Sequence, residues 1–220
     1  MLYSVKKVHL IGIGGIGMSG IAELLFNKDF IVTGSDISDS PNVQRLKSFG
    51  IKITIGHDKK NISDSELIIY SDAIPKDNVE LKEAISKNLL IYSRAKMISE
   101  IAKLNNSTVA IAGTHGKTTT TSMVGSILKN LNLDPTIIVG GVVKSLDSNS
   151  VLGSGDTFVV EADEYNKSLL HLSPTIAVIN NIDFEHIECY KDLDDLKNTF
   201  IQFANSVPFY GKVSVCLDSE

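Results

Sequence analysis

The sequence is poor in cysteine and in long apolar runs, and each absence argues against a class of protein. Only Cys189 and Cys216 occur among its 220 residues, and they form no C-x-x-C pair. A disulfide framework or a thiolate zinc site is therefore not expected, and a reducing compartment such as the cytoplasm is favoured. No apolar run reaches the ~18 uninterrupted residues that a membrane span requires, so no membrane span is predicted.

Excess charge of either sign is also missing. The chain has 26 acidic and 21 basic residues, a formal net charge of -5 at pH 7, and no long block of like charge. Without a basic track, nucleic acid is not predicted as a partner. With 43% hydrophobic residues, the chain is long enough for one large core or two modest ones. The sequence does not indicate an oligomeric state.

What the sequence does contain is an alternation of short β-branched runs with helical patterns, which is typical of parallel strands joined by crossover helices. The predicted fold class is α/β: a Rossmann-like parallel-sheet N-terminal domain followed by an incomplete P-loop ATPase-type α/β domain. The polar stretch 105–107 ends one helix before a new apolar strand begins, so we predict domains at 1–105 and 106–220. Because the second stops directly after a strand, we expect this chain to be the front part of a longer protein.

The pattern predicts individual elements as well. The predicted strands are Val8–Ile13, Phe30–Gly34, Lys52–Ile55, Leu67–Tyr70, Leu89–Tyr92, Thr108–Ala112, Thr136–Val139, Thr157–Glu161, Thr175–Asn180 and Lys212–Leu217. The predicted helices are Gly17–Asn27, Pro41–Phe49, Asp77–Lys87, Ala95–Leu104, Lys117–Leu131 and Leu193–Asn205. Ser40 is expected to cap the second helix, ahead of Pro41 at its first position.

A first glycine-rich turn lies between the first strand and the first helix. Gly12, Gly14 and Gly17 match G-x-G-x-x-G, and Asp36 lies 19 positions past Gly17 at the end of the next strand. The backbone of such a turn can approach a diphosphate, whose charge the helix N-terminus stabilises. NAD binding, with Asp36 on a ribose hydroxyl, is one interpretation, and tight strand-helix packing alone is another. The motif selects diphosphates better than it selects nicotinamide.

A second turn, GTHGKTTTT from Gly113 to Thr121, also follows a strand and opens a helix. Its glycines expose backbone N–H groups, Lys117 supplies a positive charge for β- and γ-phosphates, and the Thr118 hydroxyl can join a Mg²⁺ shell. The loop is two residues shorter than the standard G-x-x-x-x-G-K-T, in which the first glycine would stand at Ile111. A diphosphate turn together with a triphosphate loop indicates two nucleotide-bearing substrates.

Acidic residues follow two later strands. Glu161, Asp163 and Glu164 lie at the end of the stretch TFVVEADE, where an oxygen ligand could hold a hard cation, although an acidic surface turn is an alternative interpretation. Asn180, Asn181, Asp183, Glu185 and His186 follow the next buried strand. His186 is either a satisfied surface histidine or a ligand beyond a strand end.

Five stretches in the same order resemble the Mur ligase family. They are GIGGIGMSGIAE (Gly12–Glu23), SDAIPKDN (Ser71–Asn78), GTHGKTTTT, EADEYNKSLL (Glu161–Leu170) and NNIDFEH (Asn180–His186). The resemblance covers essentially the whole chain. It implies a three-domain enzyme with a Rossmann-like domain for a UDP-sugar, a central ATPase domain, and a C-terminal domain that helps with ATP and the amino acid. In the family run N-I-x-x-D-H, this chain has Glu185 where aspartate is common.

The resemblance also implies roles for individual residues. The residues expected to bind the UDP-sugar are Gly14, Gly15, Gly17, Asp36, Ser71, Arg94 and His115. Those expected to bind ATP are Gly113, Thr114, His115, Gly116, Lys117, Thr118 and Thr119. The expected catalytic residues are Lys117, His115 and Glu161, and the expected metal ligands are Thr118, Glu161 and His186.

The activity that the resemblance implies is ATP-dependent ligation of L-alanine to the carboxylate of UDP-N-acetylmuramate through an acyl phosphate, in peptidoglycan precursor synthesis. Its cofactors would be ATP and Mg²⁺, and its substrates UDP-N-acetylmuramate and L-alanine. Three alternatives stay open: a nicotinamide-dependent oxidoreductase, a non-catalytic UDP-sugar-binding module, and a sister ligase that attaches a preformed peptide. We expect these 220 residues to bind substrates without ligating them, because the amino-acid pocket is expected outside this chain.

Overall fold

The computed structural model describes residues 5–143, 148–185 and 188–218. The chain divides into two compact units, Met1–Met97 and Ile98–Glu220, and each contains its own sheet. Among the described residues, no helix combines the length and apolar character needed to span a membrane.

The first unit is a fully parallel five-stranded sheet with the strand order β3-β2-β1-β4-β5. Its strands are β1 (Lys7–Ile11), β2 (Ile31–Asp36), β3 (Lys52–Ile55), β4 (Leu67–Tyr70) and β5 (Leu90–Ser93). The helices are α1 (Ile16–Asn27), α2 (Pro41–Ser48), α3 (Val79–Ser86) and α4 (Arg94–Ala102), which runs across the division between the units, and a 3₁₀ helix spans Lys59–Ile62. The central strands are apolar and buried, as expected for parallel strands covered on both faces.

The second unit is a six-stranded mixed sheet with the order β11-β10-β6-β9-β7-β8. Its strands are β6 (Ser107–Ala112), β7 (Thr136–Val143), β8 (Ser148–Val151), β9 (Thr157–Glu161), β10 (Ile176–Ile179) and β11 (Lys212–Val215). The helices are α5 (Lys117–Asn130) and α6 (Leu193–Asn205), and a 3₁₀ segment spans Tyr165–His171. The central strand β6 lies between β10 and β9, parallel to both.

The predicted α/β class is confirmed, and so is the predicted start of α2. The Ser40 side chain accepts a hydrogen bond from the Val43 N–H at 3.4 Å, with Pro41 in the first turn. The first strand is shorter than predicted, because Gly12 turns the chain with φ +77°. Helix α3 begins at Val79 rather than at Asp77, since the Asn78 side chain caps it.

The one described strand that the sequence did not predict is β8. It lies at the sheet edge and pairs antiparallel with β7, so the second sheet is mixed rather than purely parallel. Its sequence, SNSV, lacks the apolar alternation by which strands are recognised. Strand β7 also continues to Val143, beyond the predicted end at Val139.

Candidate functional site

A cavity of about 600 Å³ lies at the carboxyl ends of the strands in the first unit. The strand order reverses between β1 and β4 there, which is where open parallel sheets bind ligands. The lining includes the glycine-rich turn after β1, Asp36 at the end of β2, His57 beyond β3, and Ser71 after β4. A second cavity, of about 490 Å³, lies near the amino ends of the strands, beside Lys7 and Lys52. The cavity at the carboxyl ends is therefore the candidate site.

The glycine-rich turn of this cavity owes its glycines largely to close packing. A Cβ atom at Gly14 would lie 2.7 Å from Cγ2 of Val43 and 2.9 Å from a carboxylate oxygen of Asp36. Gly15 is the residue that precedes α1. The Gly14 N–H donates to Oδ2 of Asp36 at 2.8 Å. Because Asp36 already holds the turn, its expected contact with uridine would have to be made alongside this hydrogen bond.

Arg94 and Ser71 bring polar groups to the same turn. A Cβ atom at Gly17 would lie only 2.8 Å from Nη1 of Arg94, so the guanidinium lies directly against the start of α1. The Ser71 hydroxyl accepts a hydrogen bond from the Ala73 N–H at 3.3 Å. Six of the seven residues expected to bind the UDP-sugar thus lie in this unit, whereas His115 lies in the second unit.

Behind the cavity lies a buried polar cluster that the sequence did not reveal. The Glu80 side chain is fully buried and contacts His9, Ser35, His57, Asn61 and the backbone of Asp58. Burial alone would raise the pKa of Glu80, but the adjacent His9 ring at 3.6 Å, together with hydrogen bonds from Ser35 and Asn61, outweighs it and lowers the pKa to about 2. These partners come from distant parts of the chain, so no local sequence motif predicts the cluster.

In the second unit, the carboxyl ends of three neighbouring strands surround the loop from Gly113 to Thr121. The loop follows β6, Glu161 ends β9 in register with Ile111, and Asn180 comes directly after β10. Gly113 has φ +135° and Gly116 has φ +78°, backbone conformations that favour glycine. The loop therefore has the strand-turn-helix context expected of a phosphate site.

Residues after β10 hold this loop in place. The Asn181 carbonyl accepts the Thr114 N–H at 3.2 Å, and its side-chain oxygen accepts the His115 N–H at 2.8 Å. The backbone N–H groups of Thr114 and His115 therefore already donate hydrogen bonds within the protein. The first N–H to bond back within α5 is that of Thr120, to the carbonyl of Gly116, so the earlier N–H groups at the start of the helix are the ones suited to an anion.

Lys117 lies folded over this loop beside a buried carboxylate. Its Nζ donates to both carboxylate oxygens of Glu164, at 2.9 and 2.7 Å, and to the Gly113 carbonyl at 2.7 Å. Glu164 is 1% exposed, and its own carbonyl accepts the hydroxyl of Tyr190. Burial, together with the negative charge of Glu164, raises the pKa of Tyr190 to about 12. The sequence suggested Glu164 as one of three carboxylates that could hold a cation, or as part of an acidic surface turn, and not as the partner of Lys117.

Glu161 is the described residue best suited to a cation. Within the described part of the chain, its Oε1 is buried and has no hydrogen-bond partner, and a bound Mg²⁺ would satisfy an oxygen of this kind. No cluster of three or more histidine, cysteine or acidic side chains able to hold a metal occurs among the described residues. The other expected ligands are Thr118, which is in the first turn of α5, and His186, which lies outside the described residues.

His115 lies at the exposed mouth of the same loop. Its Nε2 is 3.5 Å from Asp183 and 3.7 Å from Glu185, and all three side chains are about half exposed. Glu185, the residue that departs from the family pattern, thus still presents a carboxylate to the loop. His115, Lys117 and Glu161 all lie in the second unit.

Both units thus define an α/β protein with a glycine-rich turn suited to phosphate at the carboxyl edge of each sheet. Residues 7–106 match the family described as "Mur ligase family, catalytic domain", and residues 111–220 match "Mur ligase middle domain". The chain belongs to the Mur ligase family.

Similar curated proteins include two named UDP-N-acetylmuramate–L-alanine ligase. The protein from Sulfurihydrogenibium sp. is 49% identical over 98% of this chain and 47% of its own length. The protein from Persephonella marina is 51% identical over the same shares. The chain therefore spans about half the length of these relatives.

Two solved structures are similar as well. The UDP-N-acetylmuramate-alanine ligase of Thermotoga maritima superposes with a TM-score of 0.86 at 32% identity, over 97% of this chain and 49% of that one. The UDP-N-acetylmuramate:L-alanyl-γ-D-glutamyl-meso-diaminopimelate ligase of Neisseria meningitides has a TM-score of 0.88 at 26% identity, over 97% of this chain and 72% of that one.

Proposed function

We propose that the chain contributes a UDP-sugar-binding domain (1–105) and an ATP-binding domain (106–220) to a ligase that joins L-alanine to the carboxylate of UDP-N-acetylmuramate. The observation that carries this proposal is the pair of glycine-rich turns, each at the carboxyl ends of parallel strands in its own sheet. A dehydrogenase needs only the first turn. Identities of about 50% to ligases of this name, over nearly the whole chain, support the choice of substrates.

In the reaction we propose, a carboxylate oxygen of the muramate attacks the γ-phosphorus of ATP, and ADP leaves. The alanine nitrogen then attacks the carbonyl carbon of the acyl phosphate, a tetrahedral intermediate forms, and phosphate leaves. Negative charge accumulates on oxygens in both steps, so electrostatic stabilisation and positioning outweigh acid-base chemistry. Since ATP is the phosphoryl donor, we place the reaction in the cytoplasm.

The roles that we propose for individual residues rest on the charged and polar groups at the two turns. Lys117 would leave the Glu164 carboxylate to bind the phosphates of ATP, and the N–H groups at the start of α5 would bind the same anion. Thr118 and Glu161, together with His186, would hold Mg²⁺, which when bound neutralises phosphate charge. His115 would contact both the ATP phosphates and the sugar substrate. Gly14, Gly15, Gly17, Asp36, Ser71 and Arg94 would bind the uridine and diphosphate.

Calorimetric titration of the 220-residue chain with UDP-N-acetylmuramate, with Mg-ATP and with NADH tests the proposal. We expect saturable binding of UDP-N-acetylmuramate and none of NADH. Saturable NADH binding without UDP-N-acetylmuramate binding would favour an oxidoreductase instead. Release of ADP by these 220 residues, dependent on both UDP-N-acetylmuramate and alanine, would contradict our expectation that they bind without ligating.

A ligase that attaches a preformed peptide to the same sugar is the second candidate, because the Neisseria ligase named above shares the fold with a TM-score of 0.88. Its 26% identity is well below the 49% to the Sulfurihydrogenibium ligase, which favours alanine. Assays of the full-length protein with L-alanine and with the tripeptide L-alanyl-γ-D-glutamyl-meso-diaminopimelate distinguish the two. Faster turnover with the tripeptide would reverse our choice.

A further inference from the structure

The buried Glu80 carboxylate contacts His57, a histidine that lines the candidate cavity at the carboxyl ends of the strands. Its Oε2 accepts a hydrogen bond from the Ser35 hydroxyl at 2.6 Å, and Nδ1 of His57 lies 3.3 Å from the same oxygen. The same ring nitrogen is 3.1 Å from the Ser35 oxygen. Nδ1 of His57 thus faces Glu80 and Ser35 together.

This environment determines which nitrogen of His57 carries the proton in the neutral ring. Glu80, with its pKa lowered to about 2, is an ionised carboxylate at neutral pH and can only accept hydrogen bonds. The Ser35 hydroxyl already donates to Glu80, so its oxygen can also only accept from His57. The proton of the neutral imidazole therefore resides on Nδ1, and Nε2 on the opposite side of the ring is an acceptor.

The position of His57 in the sheet indicates which part of a ligand it meets. The glycine-rich turn follows β1, Asp36 ends β2, and His57 comes two residues after β3, in the strand order β3-β2-β1. Neighbouring strands lie about 4.8 Å apart, so the ends of β1 and β3 are roughly 10 Å from each other. Asp36 and His57 line the cavity on the β2–β3 side of the turn, so a nucleoside that extends from a diphosphate at the turn towards β3 would meet both side chains.

We propose that Glu80 is a positioning residue that presents Nε2 of His57 as a hydrogen-bond acceptor to the nucleoside of a nucleoside diphosphate. The group it accepts from is an N–H of the base or an O–H of the ribose. For uracil the N–H is the imide group, which cytosine lacks. The inference rests on the proposed binding of a UDP-sugar in this cavity and adds to it a source of base or sugar selectivity.

The test compares the affinities of UDP, CDP, 2′-deoxy-UDP and 3′-deoxy-UDP for the 220-residue chain and its variants. In the wild type, we expect UDP to bind about tenfold more tightly than the analogue that lacks the contacted donor, as for one buried hydrogen bond. In His57→Phe, which keeps a ring of similar size, that ratio should fall to about one. Loss of selectivity against CDP assigns the base, and loss against a deoxy analogue assigns the ribose.

Glu80→Gln tests the positioning role, with Glu83→Gln as the control on the same helix. An amide at position 80 can donate to Nδ1, so the fixed tautomer and the selectivity should both be lost, whereas Glu83→Gln should retain them. A merely structural role of Glu80 would weaken all four ligands by the same factor. If Glu80→Gln does not fold, nitrogen NMR of the His57 ring in the wild type tests the positioning role instead, and a neutral ring with its proton on Nε2 would refute it.

Two results would overturn the inference, and they differ in scope. Wild-type binding of UDP, with all ratios unchanged in His57→Phe, would refute the role of His57 and leave the proposed function intact. No wild-type binding of either UDP or UDP-N-acetylmuramate would refute the proposed function together with this inference.

Discussion

The two glycine-rich turns of this protein use glycine for different purposes. In the first unit, a side chain at Gly14 or Gly17 would run into Val43 or Arg94, so glycine permits close packing. In the second unit, Gly113 and Gly116 have positive φ, so glycine permits a backbone conformation that other residues avoid. Gly12 of the first turn also has positive φ, so the contrast is between individual positions: side-chain volume limits Gly14, whereas backbone strain limits Gly116.

The turns differ equally in how they obtain positive charge. The second carries Lys117 within the loop itself, paired with buried Glu164, whereas the first takes a guanidinium from Arg94 at the start of α4. The buried glutamate behind the first turn, Glu80, has histidine and uncharged partners instead of a lysine. A flexible ammonium inside the loop suits a transferring phosphoryl group, while a guanidinium beside the turn suits a diphosphate that stays in place.

The largest effect that would test this difference is on catalysis. We expect Lys117→Ala in the full-length protein to lower the turnover of the proposed ligation by at least two orders of magnitude, or at least ~2.7 kcal/mol in the barrier, because phosphoryl transfer would lose its positioned cation. Steady-state measurement of ADP release checks it. Lys129→Ala, at the exposed end of the same helix, is the control and should be near normal. Near-normal turnover of Lys117→Ala would contradict the assignment of this loop.

Acid should weaken the first unit through Glu80. Because its folded pKa is lowered from 4.5 to about 2, the stabilisation from its ionised form is complete above about pH 4.5 and is lost as the pH falls towards 2. The shift corresponds to roughly 3 kcal/mol. Hydrogen exchange of peptides from β1 and β2, followed from pH 5 to pH 2.5, should show this loss in the wild type. An equally steep loss in Glu80→Gln would assign it to other groups.

Packing at the first turn should be sensitive to a single methyl group. Gly14→Ala is expected to destabilise the first unit by about 2 kcal/mol, because the new methyl overlaps Val43 and Asp36. Urea denaturation followed by circular dichroism measures the change. Gly15→Ala is the matched control, since φ is −59° there and the nearest atom to an added Cβ is 3.4 Å away. Equal losses in both variants would show that volume is not the reason for Gly14.

Backbone strain should be the smaller effect, at the second turn. Gly116→Ala is expected to cost about 1 kcal/mol, because φ is +78° while an added Cβ would be 3.4 Å from the Asn180 amide. Gly116→Asn should cost less, since asparagine tolerates this conformation better. The same urea measurement applies. A larger loss for Asn than for Ala would indicate that space, rather than strain, limits this position.

The parts of this structure that could be predicted from sequence are those encoded locally. Glycines between a β-branched run and a helical pattern predicted both turns. Ser40 followed by Pro41 predicted the start of α2. The roles of Glu80, His57 and Glu164 could not be predicted, because their partners lie up to tens of residues away and depend on which strands become neighbours. Glu161 stood out because it ends an apolar strand, whereas Glu164 three residues later had no distinguishing pattern.

The N–H groups of Thr114 and His115 donate to Asn181, and the Asn181 side-chain amide donates to the His115 carbonyl, so contacts within the protein hold the second loop in shape. A ligand that enters a loop already in its final conformation loses less affinity to chain ordering. Asn181→Ala removes the two side-chain hydrogen bonds to His115 and should therefore reduce the affinity of the loop for a nucleotide.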